Sequence, residues 1–160
     1  MNGGMSVLLI GKGDGTFDAT WPNKSGLIVK GDAMGLATTD INQDGRPDFV
    51  IGINDGNIMT FEHQGQNTGE LLTVKLIGHP GNINAVGSKV SLVLDNGTAQ
   101  TAEVQAGGGY LSQSSATLTF GRPGQSTKTQ KIIIRWPNGQ ETSFDQFEDT
   151  PSHTITIKQP

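Results

Sequence analysis

The residue pattern points to an all-β chain: partial β-propeller blade material followed by a β-sandwich-like domain. Three observations carry this. Apolar residues recur at every second position through most of the chain, as in Leu72-Thr-Val74-Lys-Leu76, the signature of a strand with one buried face. Turn residues punctuate these runs, with 23 glycines and 7 prolines among 160 residues. No twelve-residue segment carries a 3.6-residue apolar period, so a helical bundle is excluded. The chain's polarity comes from uncharged Gly, Thr, Asn, Gln and Ser, which suit strands and turns better than helices. Charged residues make up 16%, against about 25% in an average soluble domain.

In chain order, Val7–Ile10 is a short apolar run that opens into the glycine loop Gly11–Thr16. Leu36–Thr39 and Phe49–Ile53 flank a loop rich in Asp and Asn, and Ile58–Phe61 is a further short strand. Ser6–Thr16 and Asn57–Thr68 echo each other loosely, each a strand followed by a polar loop containing glycine. Their separation of about 50 residues suits a repeated β unit such as a propeller blade. Gly65–Gly69 reads as a boundary, which divides the chain into a blade remnant at 1–66 and a second β domain at 67–160.

Beyond the boundary, Leu72, Val74 and Leu76 alternate with polar residues, and Val90, Leu92 and Leu94 run into Asp95-Asn96-Gly97. Asn-Gly tolerates the positive φ of a tight hairpin, so the strand returns through Ala102, Val104 and Ala106. Leu118 and Phe120 mark another strand, followed by Ile132, Ile134 and Trp136. Pro137-Asn138-Gly139 turns the chain towards Phe144, and Ile155 and Ile157 close the series.

Composition excludes several functions. The net charge is −4 and the basic residues are scattered, so there is no cationic stripe for nucleic acid. No apolar run approaches the roughly 18 residues that cross a membrane as a helix. The opening MNGGMSVLLIGKGDG lacks the basic start and cleavage site of a secretory signal. With no cysteine, disulfides, thiolate catalysis and thiolate metal sites are absent.

The sharpest local signal is Asp40-Ile-Asn42-Gln-Asp44-Gly45-Arg46-Pro-Asp48. Hard cations such as Ca²⁺ take six to eight oxygens, which a tight loop offers at alternate positions. Asp40, Asn42, Asp44 and Asp48 fall at positions 1, 3, 5 and 9; Arg46 at position 7 would give its main-chain carbonyl, and Gly45 allows the sharp turn. Carboxylates converging with no cation repel by about 4 kcal/mol per pair at 4 Å and an effective dielectric of 20. The loop is not an EF-hand, because position 12 is Ile51 and the flanks read as strands. Without a bidentate Glu the expected affinity is moderate, with a Kd of about 10⁻⁴–10⁻³ M. The competing reading is an Asx-turn loop whose carboxylates bond nearby amides.

These residues resemble a known family. DINQDGRPDFVIG is similar to the calcium loop of FG-GAP/VCBS repeats, and GKGDGTF (Gly11–Phe17) to the glycine loop that closes a blade in them. The resemblance implies Ca²⁺ held by Asp40, Asn42, Asp44, Arg46 and Asp48, whereas Asp14 in the closing loop reads better as a turn residue. Further on, NINAVGSKV (Asn82–Val90), AGGGYLSQS (Ala106–Ser114), LTFGRPG (Leu118–Gly124) and IIRWPNGQ (Ile133–Gln140) resemble successive motifs of the ASPIC/UnbV domain. That domain follows FG-GAP/VCBS propellers in cartilage-acidic-protein-like chains, which implies an extracellular or periplasmic setting. A propeller closes with about four to eight blades, so the chain is expected to be the C-terminal piece of a longer protein.

Other constellations do not hold. Gly11-Lys-Gly13-Asp-Gly15 has no helix after it, and Gly87-Ser88-Lys89 has the wrong order for a phosphate loop. His63, His79 and His153 lie far apart, and Ser112, Ser114 and Ser115 have no GxSxG elbow. Gly107-Gly-Gly-Tyr110 is either a flexible connection or a recognition loop with Tyr110 supplying contact area. Arg135, opposite in face to Trp136, either is solvated or pairs with a neighbouring strand's acid.

The expected function is a non-enzymatic, calcium-binding extracellular or periplasmic interaction module with a protein or carbohydrate ligand, and neither nucleic acid nor membrane insertion. The alternatives are a β domain, accessory or catalytic, with a Ca²⁺-organised carbohydrate or metabolite cleft near Tyr110 and Arg135, and an architectural cap on the chain's own propeller.

Overall fold

A computed structural model describes residues 6–65, 70–122, 129–145 and 154–160. Most of the boundary expected at Gly65–Gly69, and the end of the Leu118–Gly124 motif, lie outside them. The described chain is almost wholly β, as the alternation predicts. It holds twelve strands and a one-turn helix, α1 (Pro22–Ser25), which Gly26 ends in the left-handed conformation.

The first half forms two small antiparallel sheets. β1 (Leu8–Gly11) pairs with β2 (Phe17–Thr20) around the glycine loop. Asp14 closes that turn by accepting from the Thr16 amide (2.9 Å) and hydroxyl (2.6 Å), which is the turn role expected of it. β3 (Ala33–Thr39), β4 (Asp48–Ile53) and β5 (Met59–Phe61) form a three-stranded meander in the order β3-β4-β5. Neither β2 nor the early part of β3 stands out in the sequence, because their short apolar patterns are broken by Asp18 and Gly35. Among the described residues of this half, Ile51 is the one fully buried apolar side chain, while Leu9, Phe17, Trp21 and Ile58 are exposed. These sheets are too small to cover their own apolar faces.

The second half is a sandwich. One sheet runs β11-β10-β7-β8, from β7 (Lys89–Leu94), β8 (Ala99–Glu103), β10 (Thr129–Arg135) and β11 (Glu141–Phe144). The other runs β12-β6-β9, from β6 (Glu70–Ile77), β9 (Leu118–Arg122) and β12 (Thr154–Lys158). Their inner faces share one cluster in which Leu72, Val74 and Leu76 from β6 meet Val90, Leu92 and Leu94 from β7 and Ile132 and Ile134 from β10. Trp136, just past β10, is buried in the same cluster and donates its Nε1–H to Thr142 Oγ1 at 2.8 Å, which satisfies its polar edge. The alternation expected through Ala106 stops at Glu103, but Val104 stays in the core and exchanges hydrogen bonds with Ser88 and Gly87.

β6 lies at the centre of its sheet. It pairs antiparallel with β9 and parallel with β12, placing Thr73 in register with both Thr119 and Thr154. Because Leu72, Val74 and Leu76 face the core, Thr73 and Lys75 lie on the outer face of the sheet. The halves also touch through the loop after β8. Ser115 N–H donates to the Thr38 carbonyl (2.9 Å), and Thr38 N–H donates to Ser114 Oγ (3.1 Å), so this loop lies along β3.

Candidate functional site: the Asp40–Asp48 loop

The β3–β4 hairpin explains why the Asp-rich segment is a loop. Thr39 pairs with Asp48 in the last register position, so residues 40–47 bulge from the hairpin end. Gln43 (φ 61°) and Gly45 (φ 82°) both take left-handed backbone there, a conformation that Gly adopts at no steric cost.

Within the loop the side-chain oxygens fold over their own amides. Asp44 N–H donates to Asp40 Oδ1 and to Asn42 Oδ1, both at 3.1 Å. Gly45 N–H donates to Asp40 Oδ2 (2.9 Å), and Arg46 N–H donates to Asp44 Oδ1 (2.8 Å). Asn42 Nδ2 reaches Asp44 Oδ2 at 3.2 Å, while Arg46 Nη1 stands 3.8 Å from that oxygen. Asp40, Asn42 and Asp44 are thereby brought together at the solvent-exposed tip.

Asp48 behaves differently. It is completely buried, and its two oxygens accept from separate amides, Ile41 N–H and His63 N–H, each at 2.8 Å. Ile41 lies at the entry to the loop and His63 just beyond β5, so one carboxylate ties the loop to both ends of the meander. The spacing marks Asp48 as a ninth-position oxygen, but it gives no sign of this bracing role, because the partners come from backbone amides at distances no motif encodes.

Among the described residues, no group of three or more His, Cys, Asp or Glu side chains is gathered as a set, since Asp48 faces inward while Asp40 and Asp44 face the tip. The donors offered by Asp40, Asn42 and Asp44 are all oxygen, which suits a hard divalent cation in kind. Each carboxylate oxygen carries two lone pairs, so accepting one amide does not exhaust it.

The other candidate residues lie elsewhere. Tyr110 is 70% exposed in a loop where Gly109 bridges to Ser112 and packs close to the Leu36 carbonyl. Gly109 and Tyr110 are therefore laid against β3. Arg135 is exposed at the end of β10, in register with Lys89 on one side and Glu141 on the other.

A family model described as ASPIC and UnbV matches residues 78–160, just over half of the chain. The chain belongs to that family. A second model, an FG-GAP-like repeat, matches residues 1–51 ahead of it, so the architecture is the one the motifs imply. No curated protein matches the chain. The ASPIC/UnbV match spans the sandwich from β7 onward, and the FG-GAP-like match covers β1 to β3, the Asp40–Asp48 loop and most of β4. An FG-GAP-like repeat fits a propeller blade, and the pairing of this repeat with an ASPIC/UnbV domain suggests an extracellular adhesion or interaction-type module. FG-GAP repeats are typical of extracellular or periplasmic proteins, and no helix among the described residues is long and apolar enough to cross a membrane.

Proposed function

We propose that this ASPIC/UnbV chain is a non-enzymatic, calcium-stabilised interaction module, working outside the cytoplasm on a protein or carbohydrate ligand. Residues 1–66 would supply the blade remnant and residues 67–160 the β domain. The observation that supports it is the loop itself, where Asp40, Asn42 and Asp44 crowd their oxygens at one hairpin tip. Asp40, Asn42 and Asp44, with the Arg46 carbonyl, would hold the Ca²⁺, and Asp48 would contribute charge from beneath while bracing the loop. The ion's role is structural, because neutralising these carboxylates removes their mutual repulsion and stiffens the β3–β4 connection. At about 2 mM Ca²⁺ and a Kd of about 0.1–1 mM, the ion would add roughly 0.6–1.8 kcal/mol.

Thermal unfolding in about 2 mM Ca²⁺ against excess chelator tests this, for the chain and for Asp44→Ala. The expected stabilisation is about 1–7 °C, at about 2–4 °C per kcal/mol, absent in Asp44→Ala. An identical Tm with and without Ca²⁺, or an equal shift in the variant, overturns the proposal.

A further inference from the structure

Beside the loop, but on the sandwich, lies a cleft of about 250 Å³. It is floored by the outer face of the β12-β6-β9 sheet and walled by the side of the loop that carries Asp40 and Arg46. Its floor is a row of hydroxyls, because Thr154, Thr73 and Thr119 are in register across three strands. Lys75 lies two residues along β6, on the same face.

Two of the lining groups lack partners. Thr73 is 93% buried (relative exposure 7%), and its Oγ1 has no hydrogen-bond partner among the described residues. Arg46 Nε is likewise buried without one, the guanidinium reaching Asp44 only at 3.8 Å through Nη1. Buried polar groups are almost always paired, and leaving one unpaired is unfavourable. The Nε–H and the Lys75 ammonium can only donate, and a threonine hydroxyl can donate as well. Among the described residues no aromatic ring lines the cleft, so they offer no stacking surface for an uncharged ring.

We infer that this cleft binds the oxyanion group, carboxylate or sulfate, of a small polar ligand, held by Arg46, Lys75 and Thr73. The volume is slightly below the roughly 300–1,000 Å³ of drug-sized pockets, which suits one acidic sugar or a free oxyanion. Asp40 also lines the cleft, so a cation in the loop that offsets its charge would strengthen anion binding. That coupling alone rests on the calcium proposal.

Calorimetric titration of the full chain with sodium sulfate, glucuronate and neutral glucose, at constant ionic strength, tests the site. The titrations are run in calcium and again in chelator. Saturable binding of glucuronate or sulfate in either buffer, with none for glucose, is expected. Sulfate alone would point to a free oxyanion, and glucuronate alone to a sugar acid. Arg46→Gln keeps its main-chain carbonyl, and Thr73→Val keeps the shape of its side chain. Each, with Lys75→Gln, should weaken the anion at least tenfold while the variant melts cooperatively. Absence of saturable anion binding in both buffers, equal binding of glucose, or undiminished affinity in all three variants overturns the inference. The calcium proposal is judged separately, because Lys75→Gln, on β6 and outside the loop, leaves the calcium-dependent Tm shift in place.

Discussion

Removing the Asp48 carboxylate separates a strut from a simple metal ligand. Asp48→Ala strips the acceptor from two amides, Ile41 N–H and His63 N–H, each now bonded at 2.8 Å. The site is fully buried, so water does not readily replace the lost oxygens. An orphaned buried amide costs about 1–3 kcal/mol, so the pair costs about 4 kcal/mol in the middle of that range. Against a net stability of about 5–15 kcal/mol for a typical domain, this is a large loss. It corresponds to a fall in Tm of about 8–16 °C for a chain of this size. Asp48→Asn keeps one carbonyl acceptor and should fall between the two. The decisive assay is calorimetric unfolding of the chain, Asp48→Asn and Asp48→Ala, in excess chelator and again with calcium. Strut chemistry is independent of metal, so the penalty must appear in chelator. A drop of less than about 3 °C there, or one seen only with calcium, would refute the reasoning and leave Asp48 as a ligand alone.

Two further outcomes are expected. Gly45→Ala should cost about 1–2 kcal/mol through backbone strain alone, because φ is 82° there and an added Cβ meets nothing within 4 Å. Gly121→Ala, with equally open space and no positive φ, is the control in urea unfolding and should not share that cost. At the β1–β2 turn, the Thr16 hydroxyl, and after it the Thr16 amide, hold the Asp14 carboxyl below its ordinary value of 3.8. A carboxyl lowered in the folded state stabilises above the unfolded value, and that contribution is lost as pH falls through the folded one. Thr16→Val should therefore raise the Asp14 pKa towards 3.8 in an NMR titration, and an unchanged value would show that the hydroxyl bond does not form in solution.

Much of the sandwich is legible in the amino-acid sequence. Val90, Leu92 and Leu94 face the core as their alternation requires, and Asp95-Asn96-Gly97 does turn β7 into β8. The loop at Asp40–Asp48 was legible as a unit because its spacing is local, but the split between an exposed tip and a buried Asp48 was not. β2 leaves no mark in the sequence because Phe17-Asp-Ala-Thr20 is too short to show a period.

What the sequence determined by itself is most of what depends on near neighbours: the identity of the longer strands, their inward face, the turn positions and the order of the two family motifs. Those follow from a two-residue period and from the φ tolerance of Gly and Asn, both properties of a few consecutive residues. The tertiary structure alone decided which strands meet. The parallel seat of β12 on β6, the 109–115 loop lying along β3, the tie from Asp48 to His63 and the Thr154–Thr73–Thr119 row each join residues far apart in the chain. Such pairings are selected by how whole faces pack and by which amides are left to satisfy, and no local pattern carries that information.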